Sequence, residues 1–221
     1  MDVLGITLDY GAEELSALNR LIGGGDAPGL DAPDPAPMSA ETRRAVHAAA
    51  WRGLVARKAL LIEPGPPPSF SVAEPHASVL APLIAPERTI TLDRWTPTGE
   101  TRWTLYLRED AAVAQHALPG HLYRHTLFPR AQAAERLVAA AAIEPRPEAQ
   151  GQPFEVSRTQ LTAPRDEHSP AVLYAALSIT RTEGLTWIDA GDLGLWHGTT
   201  RFAPITAEAL STQLSGLVSP R

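Results

Sequence analysis

The chain has 221 residues, of which 44% are hydrophobic and 20% charged, enough for one large domain or two fused halves with a self-supporting core. Nineteen Lys and Arg residues against 25 Asp and Glu residues give a net charge of −6, which argues against a general nucleic-acid binder, because such proteins neutralise phosphates with basic surface. The absence of cysteine excludes disulfide bonds, thiolate zinc sites and cysteine nucleophiles. No apolar stretch approaches the roughly 18 residues that cross a bilayer, and no secretory signal precedes the first helix, so we expect a soluble, cytoplasmic protein.

The chain begins with a predicted strand and helix. The apolar run Val3–Leu8 predicts an edge strand, and a period of three to four residues predicts a helix after it. One face of that helix carries Leu15, Leu18, Leu21 and Ile22. The acidic, Gly- and Pro-rich stretch that follows, residues 23–38, is predicted to be a loop.

Two further helices are predicted before the first sheet. Ser39 is the expected N-cap of a helix that runs to about Arg57. Its expected buried stripe is Val46, Ala49, Ala50 and Leu54. The proline-rich segment Glu63–Ser69 is predicted to be extended and polyproline-like. A third helix is expected over Glu74–Ile84, with an inward face of Val79, Leu80 and Leu83.

From residue 88 the hydrophobic period changes to two, which predicts strands. Arg88–Trp95 and Thr101–Arg108 are expected to form a hairpin around a two-residue loop, Thr98–Gly99. This loop places Leu92 opposite Leu105, whereas a slip of one residue moves every side chain to the wrong face.

The first meander is predicted to continue and to end in a helix. Ala111–Leu118 and His121–Phe128 are the next strands, joined by a turn at Pro119–Gly120. Pro129 suits the first turn of a helix that ends near Ala142.

After a predicted hinge at residues 144–153, the same order of elements returns. Ala171–Arg181 is a predicted strand, and Leu185–Asp189 with Leu193–His197 forms a predicted hairpin that sets Trp187 opposite Trp196. A short strand, Arg201–Ala203, follows. Thr206 is the expected N-cap of a last helix whose inward face is Leu210, Leu214 and Leu217.

This order predicts an α+β fold with two antiparallel β-meander-plus-helix halves in a pseudo-twofold arrangement and an N-terminal helical segment. The expected division is residues 1–143, with the N-terminal helices, first meander and helix, and residues 154–221, with the second meander and C-terminal helix, within one compact domain.

The sequence carries no pattern that predicts catalysis or metal binding. His121 and His125 lie four residues apart, but on a strand this spacing separates them by roughly 13 Å, too far for one metal ion. We therefore expect no catalytic residues, no metal site and no cofactor.

The basic helix at residues 39–58 has two interpretations. Its cations are Arg43, Arg44, Arg52, Arg57 and Lys58. They favour a solvated helix face, but a helix-turn-helix facing phosphate, and hence a DNA-binding regulator, is the alternative. An uncharacterised enzyme is a further alternative, because catalytic residues assemble in space rather than in sequence.

The order of elements and several passages resemble EspG-type chaperones of type VII (ESX) secretion. The similar passages are SALNRLIGG, TRRAVHAAAWRGLVARKALL, SVLAPLIAPERTITLDRW and GLTWIDAGDLGLWHG with ITAEALSTQLSGLV. The resemblance covers most of the chain.

The resemblance implies a non-enzymatic cytosolic chaperone or adaptor that binds an aggregation-prone helical secretion substrate. The implied partner is a PE/PPE-like or WXG100-like helical secreted protein, with no nucleic acid and no membrane insertion. A loop between early strands would make the contacts, together with the late helix Thr206–Val218. The implied partner-binding residues are Trp95, Thr96, Pro97, Thr98, Gly99, Glu100, Arg102 and Trp103.

Overall fold

The structure, a computed structural model, describes residues 5–21, 38–96, 99–141, 154–155, 172–178, 183–189, 193–196 and 201–219. The α-helices within these ranges are α1 (Ala12–Leu21), α2 (Ala40–Ala56), α3 (His76–Ile84), α4 (Ala133–Ala140) and α5 (Ala207–Val218). The strands are β1 (Ile6–Gly11), β2 (Leu60–Glu63), β3 (Ser69–Val72), β4 (Arg88–Thr96), β5 (Gly99–Arg108), β6 (Ala111–Leu118), β7 (Leu122–Pro129), β8 (Phe154–Glu155), β9 (Val172–Ser178), β10 (Glu183–Asp189), β11 (Leu193–Trp196) and β12 (Arg201–Pro204).

The chain divides into two compact units. The first draws on Met1–Glu87 and Tyr106–Arg130, and the second on Arg88–Leu105 and Ala131–Arg221. The boundary falls within β5, whose last residues belong to the first unit and whose earlier residues belong to the second.

The first unit contains strands in the order β1-β7-β6-β5 and a separate two-stranded sheet, β2-β3. Strands β1 and β6 both pair antiparallel with β7, which places Tyr10 opposite Tyr123 and Val113 opposite Leu127. The core of this unit includes buried side chains from all three helices: Leu15 and Leu18, Leu54, and Val79, Leu80 and Leu83. These residues confirm most of the inward faces predicted for α1 and α3.

The N-cap predicted for α2 is confirmed, but its buried stripe is shorter than predicted. The Ser39 hydroxyl accepts a hydrogen bond of 3.1 Å from the backbone N–H of Thr42. Ala50 and Leu54 are buried, whereas Ala49 is exposed and Val46 only half-buried. The helix is therefore buried through its second half, and its first turns lie in solvent.

The structure corrects the extended interpretation of Glu63–Ser69. Glu63 and Ser69 are paired strand residues, and Ile62 lies opposite Phe70 in the same hairpin. Because proline cannot donate a hydrogen bond to a strand ladder, the prolines of this segment lie between the strands and the apolar residues on either side pair with each other.

The later strands of the first meander match the prediction at β6 and differ from it around β7. Gly120 and His121 both have positive φ, 80° and 58°, so the turn includes His121 and the strand begins at Leu122. Pro129 does not begin a helix; it is the last residue of β7 and lies opposite Ala111. A 3₁₀ turn at Arg130–Gln132 then leads into α4.

The β4–β5 loop also differs from its prediction. Gly99 is a residue of β5, so the two positions between the strands are Pro97 and Thr98, which lie outside the described residues. The residues of β5 from Thr104 to Leu107 are buried on both faces, so the alternation of polar and apolar residues does not determine the register. The pairing of Leu92 with Leu105 stays a prediction.

The second unit contains strands in the order β5-β4-β9-β10-β11-β12-β8, with α4 packed against α5. The Thr206 hydroxyl accepts a hydrogen bond of 3.1 Å from the N–H of Ala209, which confirms the predicted cap. The predicted inward face of α5, Leu210, Leu214 and Leu217, is buried.

The predicted pairing of Trp187 with Trp196 is wrong by one residue. The fully buried Trp187 lies opposite Leu195, and Asp189 lies opposite Leu193. Three residues separate the paired ends of β10 and β11, rather than the predicted two, and the additional loop residue shifts the register.

Antiparallel meanders, each followed by a helix, confirm the predicted α+β class. The pseudo-twofold arrangement and the division at residues 143 and 154 stay predictions. The predicted loop at 23–38 (apart from Met38) and the hinge at 144–153 lie outside the described residues. None of the helices in the described ranges combines the length and apolar character needed to span a bilayer.

Candidate partner-binding site

The implied partner-binding residues lie at the end of the β4–β5 hairpin. Trp95 and Thr96 end β4, and Gly99, Glu100, Arg102 and Trp103 belong to β5. Pro97 and Thr98 lie outside the described residues. The hairpin and α5, the two elements that the resemblance implies for binding, both belong to the second unit, apart from the last residues of β5.

A two-pronged ion pair holds Arg102 at the surface of this hairpin. Its Nε lies 2.6 Å from Asp93 Oδ1 and an Nη lies 3.1 Å from Asp93 Oδ2. The Arg102 side chain is 59% exposed and that of Asp93 18% exposed. Because both prongs of the guanidinium engage one carboxylate, the arginine is oriented while most of its surface stays in contact with solvent.

Trp103 lies where β5 passes from the interior to the surface. Thr101 and Arg102 are exposed, Trp103 is half-buried, and Thr104 is buried. An aromatic side chain at such a boundary can contribute both to the fold and to a partner surface.

Arg88 attaches the other end of β4 to α5. Its side chain is 5% exposed and donates from Nη1 to the carbonyl oxygens of Leu217 and Ser219. The nine residues from Arg88 to Thr96 make eight steps along the strand, which span roughly 26 Å, so the hairpin end lies well away from this attachment.

The outward face of α5 is polar. Glu208, Thr212 and Gln213 are exposed, while the leucines of the helix are buried. This face can therefore supply hydrogen bonds at the rim of an interface rather than an apolar surface.

The two histidines considered for metal binding have different environments. His121 lies in the turn before β7, and His125 is fully buried with its ring 5.4 Å from that of Tyr10. Burial lowers the pKa of His125 to about 4, so it is neutral near pH 7. The described residues contain no cluster of three His, Asp or Glu side chains that could hold a metal ion.

A polar contact in the core of the first unit was not predicted. The Tyr10 hydroxyl and His76 Nδ1 are hydrogen-bonded at 2.6 Å, and burial raises the pKa of Tyr10 while lowering that of His76. Tyr10 is 1% exposed and His76 is half-buried, so the hydrogen bond lies at the edge of the core and fixes the start of α3 against β1. No sequence pattern linked Tyr10 to His76, which is 66 residues away.

The basic helix does not form the helix-turn-helix that the DNA-binding interpretation requires. Strands β2 and β3 lie between α2 and α3 in the chain, whereas a helix-turn-helix has a turn of about three to four residues. Arg57 also pairs with Glu14 at 2.8 Å and donates to the backbone carbonyl of Asp9.

Comparisons with known proteins identify the fold. No family model and no curated protein matches this sequence. Among solved structures, the chain is similar to the Mycobacterium tuberculosis type VII secretion system chaperone EspG5, solved in complex with a PE25–PPE41 dimer. The TM-score is 0.51, the identity 11%, and the match covers 96% of each chain.

The fold is EspG-like. At 11% identity the likeness extends to the fold alone, and it confirms the fold that the resemblance implied.

Proposed function

We propose that this protein is a non-enzymatic cytosolic chaperone or adaptor that binds an aggregation-prone helical substrate of a type VII secretion system. The observation that carries the proposal is the likeness of fold, over 96% of both chains, to a chaperone solved with a PE25–PPE41 dimer. PE/PPE-like or WXG100-like helical proteins are the proposed partners. A helical substrate with an exposed apolar end aggregates unless another protein covers that end, which is the role proposed for this chain.

The proposed contact surface is the hairpin from Trp95 to Trp103. Arginine and tryptophan are the residue types that most often dominate the energy of protein interfaces. The ion pair with Asp93 supports the proposal, because an arginine that is already oriented loses less side-chain entropy when a partner binds. The polar outward face of α5 is the proposed rim.

Co-expression with the PE/PPE-like and WXG100-like proteins of the source organism tests the proposal. A soluble complex should form with at least one of them, and its affinity should fall about 30-fold, or 2 kcal/mol, in Trp95→Ala and in Arg102→Ala. Failure of every such protein to bind the folded wild-type chain would contradict the chaperone function.

Arg124→Ala is the matched control. Arg124 is 51% exposed and makes the same two-pronged contact with Asp9, at 2.9 Å for both prongs, in the first unit. If Arg102 contacts the partner, Arg102→Ala weakens the complex and Arg124→Ala does not, although each substitution breaks a two-pronged ion pair at an exposed position. If a folded Trp95→Ala/Arg102→Ala variant binds the partner as tightly as the control does, the hairpin is not part of the interface.

A further inference from the structure

The β2–β3 hairpin exposes large hydrophobic side chains on both of its faces. Leu61 is 45% exposed, Ile62 51% and Phe70 42%; the remaining large hydrophobic side chain of comparable exposure among the described residues is Leu122, on β7. Successive strand residues point to opposite faces, so Leu61 lies on one face and the cross-strand pair Ile62 and Phe70 on the other.

One of these faces continues into an apolar groove beside α2. The Trp51 and Phe70 rings meet edge to face with their centroids 5.1 Å apart. Trp51, Val55, Ile62 and Phe70 line the groove together with Arg52 and Ala56. The hairpin therefore extends an apolar surface of the first unit outward, with a cation beside it.

The end of the hairpin is suited to a medium of low polarity. Residues 64–73 carry no charge, and four of the five residues between the strands are prolines, Pro64, Pro66, Pro67 and Pro68. Prolines have no backbone N–H, so this end presents few donors that would lose hydrogen bonds on leaving water. Glu63 is the opposing feature: its side chain accepts a hydrogen bond from Ser69, 3.1 Å away, and places an acidic residue at the base of the loop.

Exposed cations lie on α2 and on the segment that joins α2 to this hairpin. Arg44 lies seven residues before Trp51 and therefore on the same side of α2, Arg52 lines the groove beside Trp51, and Lys58 comes two residues before β2; all three cations are exposed. Glu41, Glu63 and Glu74 are the exposed carboxylates on or next to the same elements, and Arg43 is a further exposed cation of α2. The local excess of charge is positive, although the whole chain carries a net charge of −6. At physiological salt, charges are screened over about 8 Å, which weakens the effect of distant acidic residues on this surface.

We propose that the β2–β3 hairpin and the basic face of α2 bind the surface of an anionic membrane, with Leu61, Ile62 and Phe70 at headgroup level. Exposed apolar side chains next to a cation-rich segment are the chemistry of peripheral membrane contacts. A protein that covers one face of the hairpin leaves either Leu61 or Ile62 in water, whereas a lipid interface surrounds both faces. This proposal is independent of the helical substrate.

Vesicle flotation of the full chain tests it, with phosphatidylcholine alone and with phosphatidylcholine mixed with phosphatidylglycerol. The protein should float with the anionic vesicles, and added salt should release it. Ile62→Ser/Phe70→Ser should weaken binding at least tenfold, and Arg52→Gln and Lys58→Gln about fivefold each. Glu63→Gln should strengthen binding, because it removes the opposing charge.

Leu122→Ser is the matched control, since Leu122 is as exposed as the hairpin residues but lies on β7. It should float like the wild type. Circular dichroism of each variant verifies that it is folded, and Glu63→Gln, which removes no apolar contact, tests the charge argument separately. Absence of wild-type binding to anionic vesicles at low salt would overturn the proposal. So would equal losses in Leu122→Ser and in the hairpin variant, or retention of binding by a folded hairpin variant, as expected if this surface binds a protein instead.

Discussion

Arg88, the first residue of β4, donates a hydrogen bond from Nη1 to the carbonyl oxygen of Leu217, in the last turn of α5. The last carbonyl groups of a helix have no hydrogen-bond donor within the helix, and they form the negative end of its dipole. A cationic donor such as arginine therefore supplies the missing hydrogen bonds and balances the negative partial charge. The contact joins the start of a strand to the end of a helix that comes 129 residues later.

Replacement of Arg88 should destabilise the protein strongly. Arg88→Met keeps an apolar stem but leaves the Leu217 and Ser219 carbonyls without this donor, and we expect a loss of about 3 kcal/mol in the free energy of unfolding. Urea denaturation measures it. Arg43→Met, at an exposed position of α2, should change stability by less than about 0.5 kcal/mol, and equal effects of the two substitutions would contradict the capping role.

The other end of α5 allows an independent test. Thr206→Ala removes the acceptor for the N–H of Ala209 and should cost about 1 kcal/mol, whereas Thr206→Ser should retain most of the stability. Thr206 and Arg88 act at opposite ends of the helix and share no partner, so their effects should add. A strong coupling in the double variant would show that the two caps do not act separately.

Burial of His125 should make stability dependent on pH. Its pKa is lowered to about 4 in the folded state, against an ordinary 6.5, so below pH 6.5 the unfolded chain binds a proton that the folded chain does not. The contribution of neutral His125 to the free energy of unfolding is therefore present above pH 6.5 and is lost as the pH falls toward 4. The loss between pH 7.5 and pH 5 is about 2 kcal/mol.

Urea denaturation of His125→Leu at both pH values isolates this contribution. The difference between pH 7.5 and pH 5 should shrink by about 2 kcal/mol in the variant, whatever its absolute stability. Burial also lowers the pKa values of His47 and His76, which leaves a smaller dependence of the same sign. If the pH dependence of stability is unchanged in His125→Leu, it arises from His47 and His76 instead.

The Asp93–Arg102 pair should contribute little to folding. Arg102 is 59% exposed, and exposed pairs contribute about 0–1 kcal/mol even when their geometry is good. A double-mutant cycle with Asp93→Ala and Arg102→Ala, measured by thermal unfolding, should give a coupling in this range that decreases with salt. A coupling of several kcal/mol would make the pair a structural element and weaken its proposed role in partner binding.

The local elements of this protein were predictable because their signals lie within a few residues. Ser39 and Thr206 are N-caps as predicted, since a hydroxyl that accepts from a backbone N–H three residues later needs no distant partner. Strand β6 has its predicted bounds, and the α+β class follows from the change of hydrophobic period at Arg88.

The registers and the proline-rich hairpin were less predictable. Trp187 faces Leu195 rather than Trp196 because one additional loop residue shifts a whole strand, and the hydrophobic pattern does not determine loop length. Glu63–Ser69 contains the turn of a hairpin, since residues on both sides of the prolines pair with each other. Of the proposed binding site, the sequence and the family resemblance indicated the segment Trp95–Trp103, and the structure added the orientation of Arg102 by Asp93.

The sequence by itself determined where most of the helices and strands form and most of the helix faces that they bury, because period, capping and turn chemistry act over short stretches of chain. Only the tertiary structure decided the roles of Arg88, Tyr10 and His125. Arg88 and Tyr10 are polar residues whose burial depends on a partner far away in the chain: the end of α5 for Arg88 and His76 for Tyr10. His125 is buried with its ring against that of Tyr10, 115 residues earlier in the sequence. Polar groups are stable in the interior only when such partners meet them, and the packing of distant elements brings those partners together.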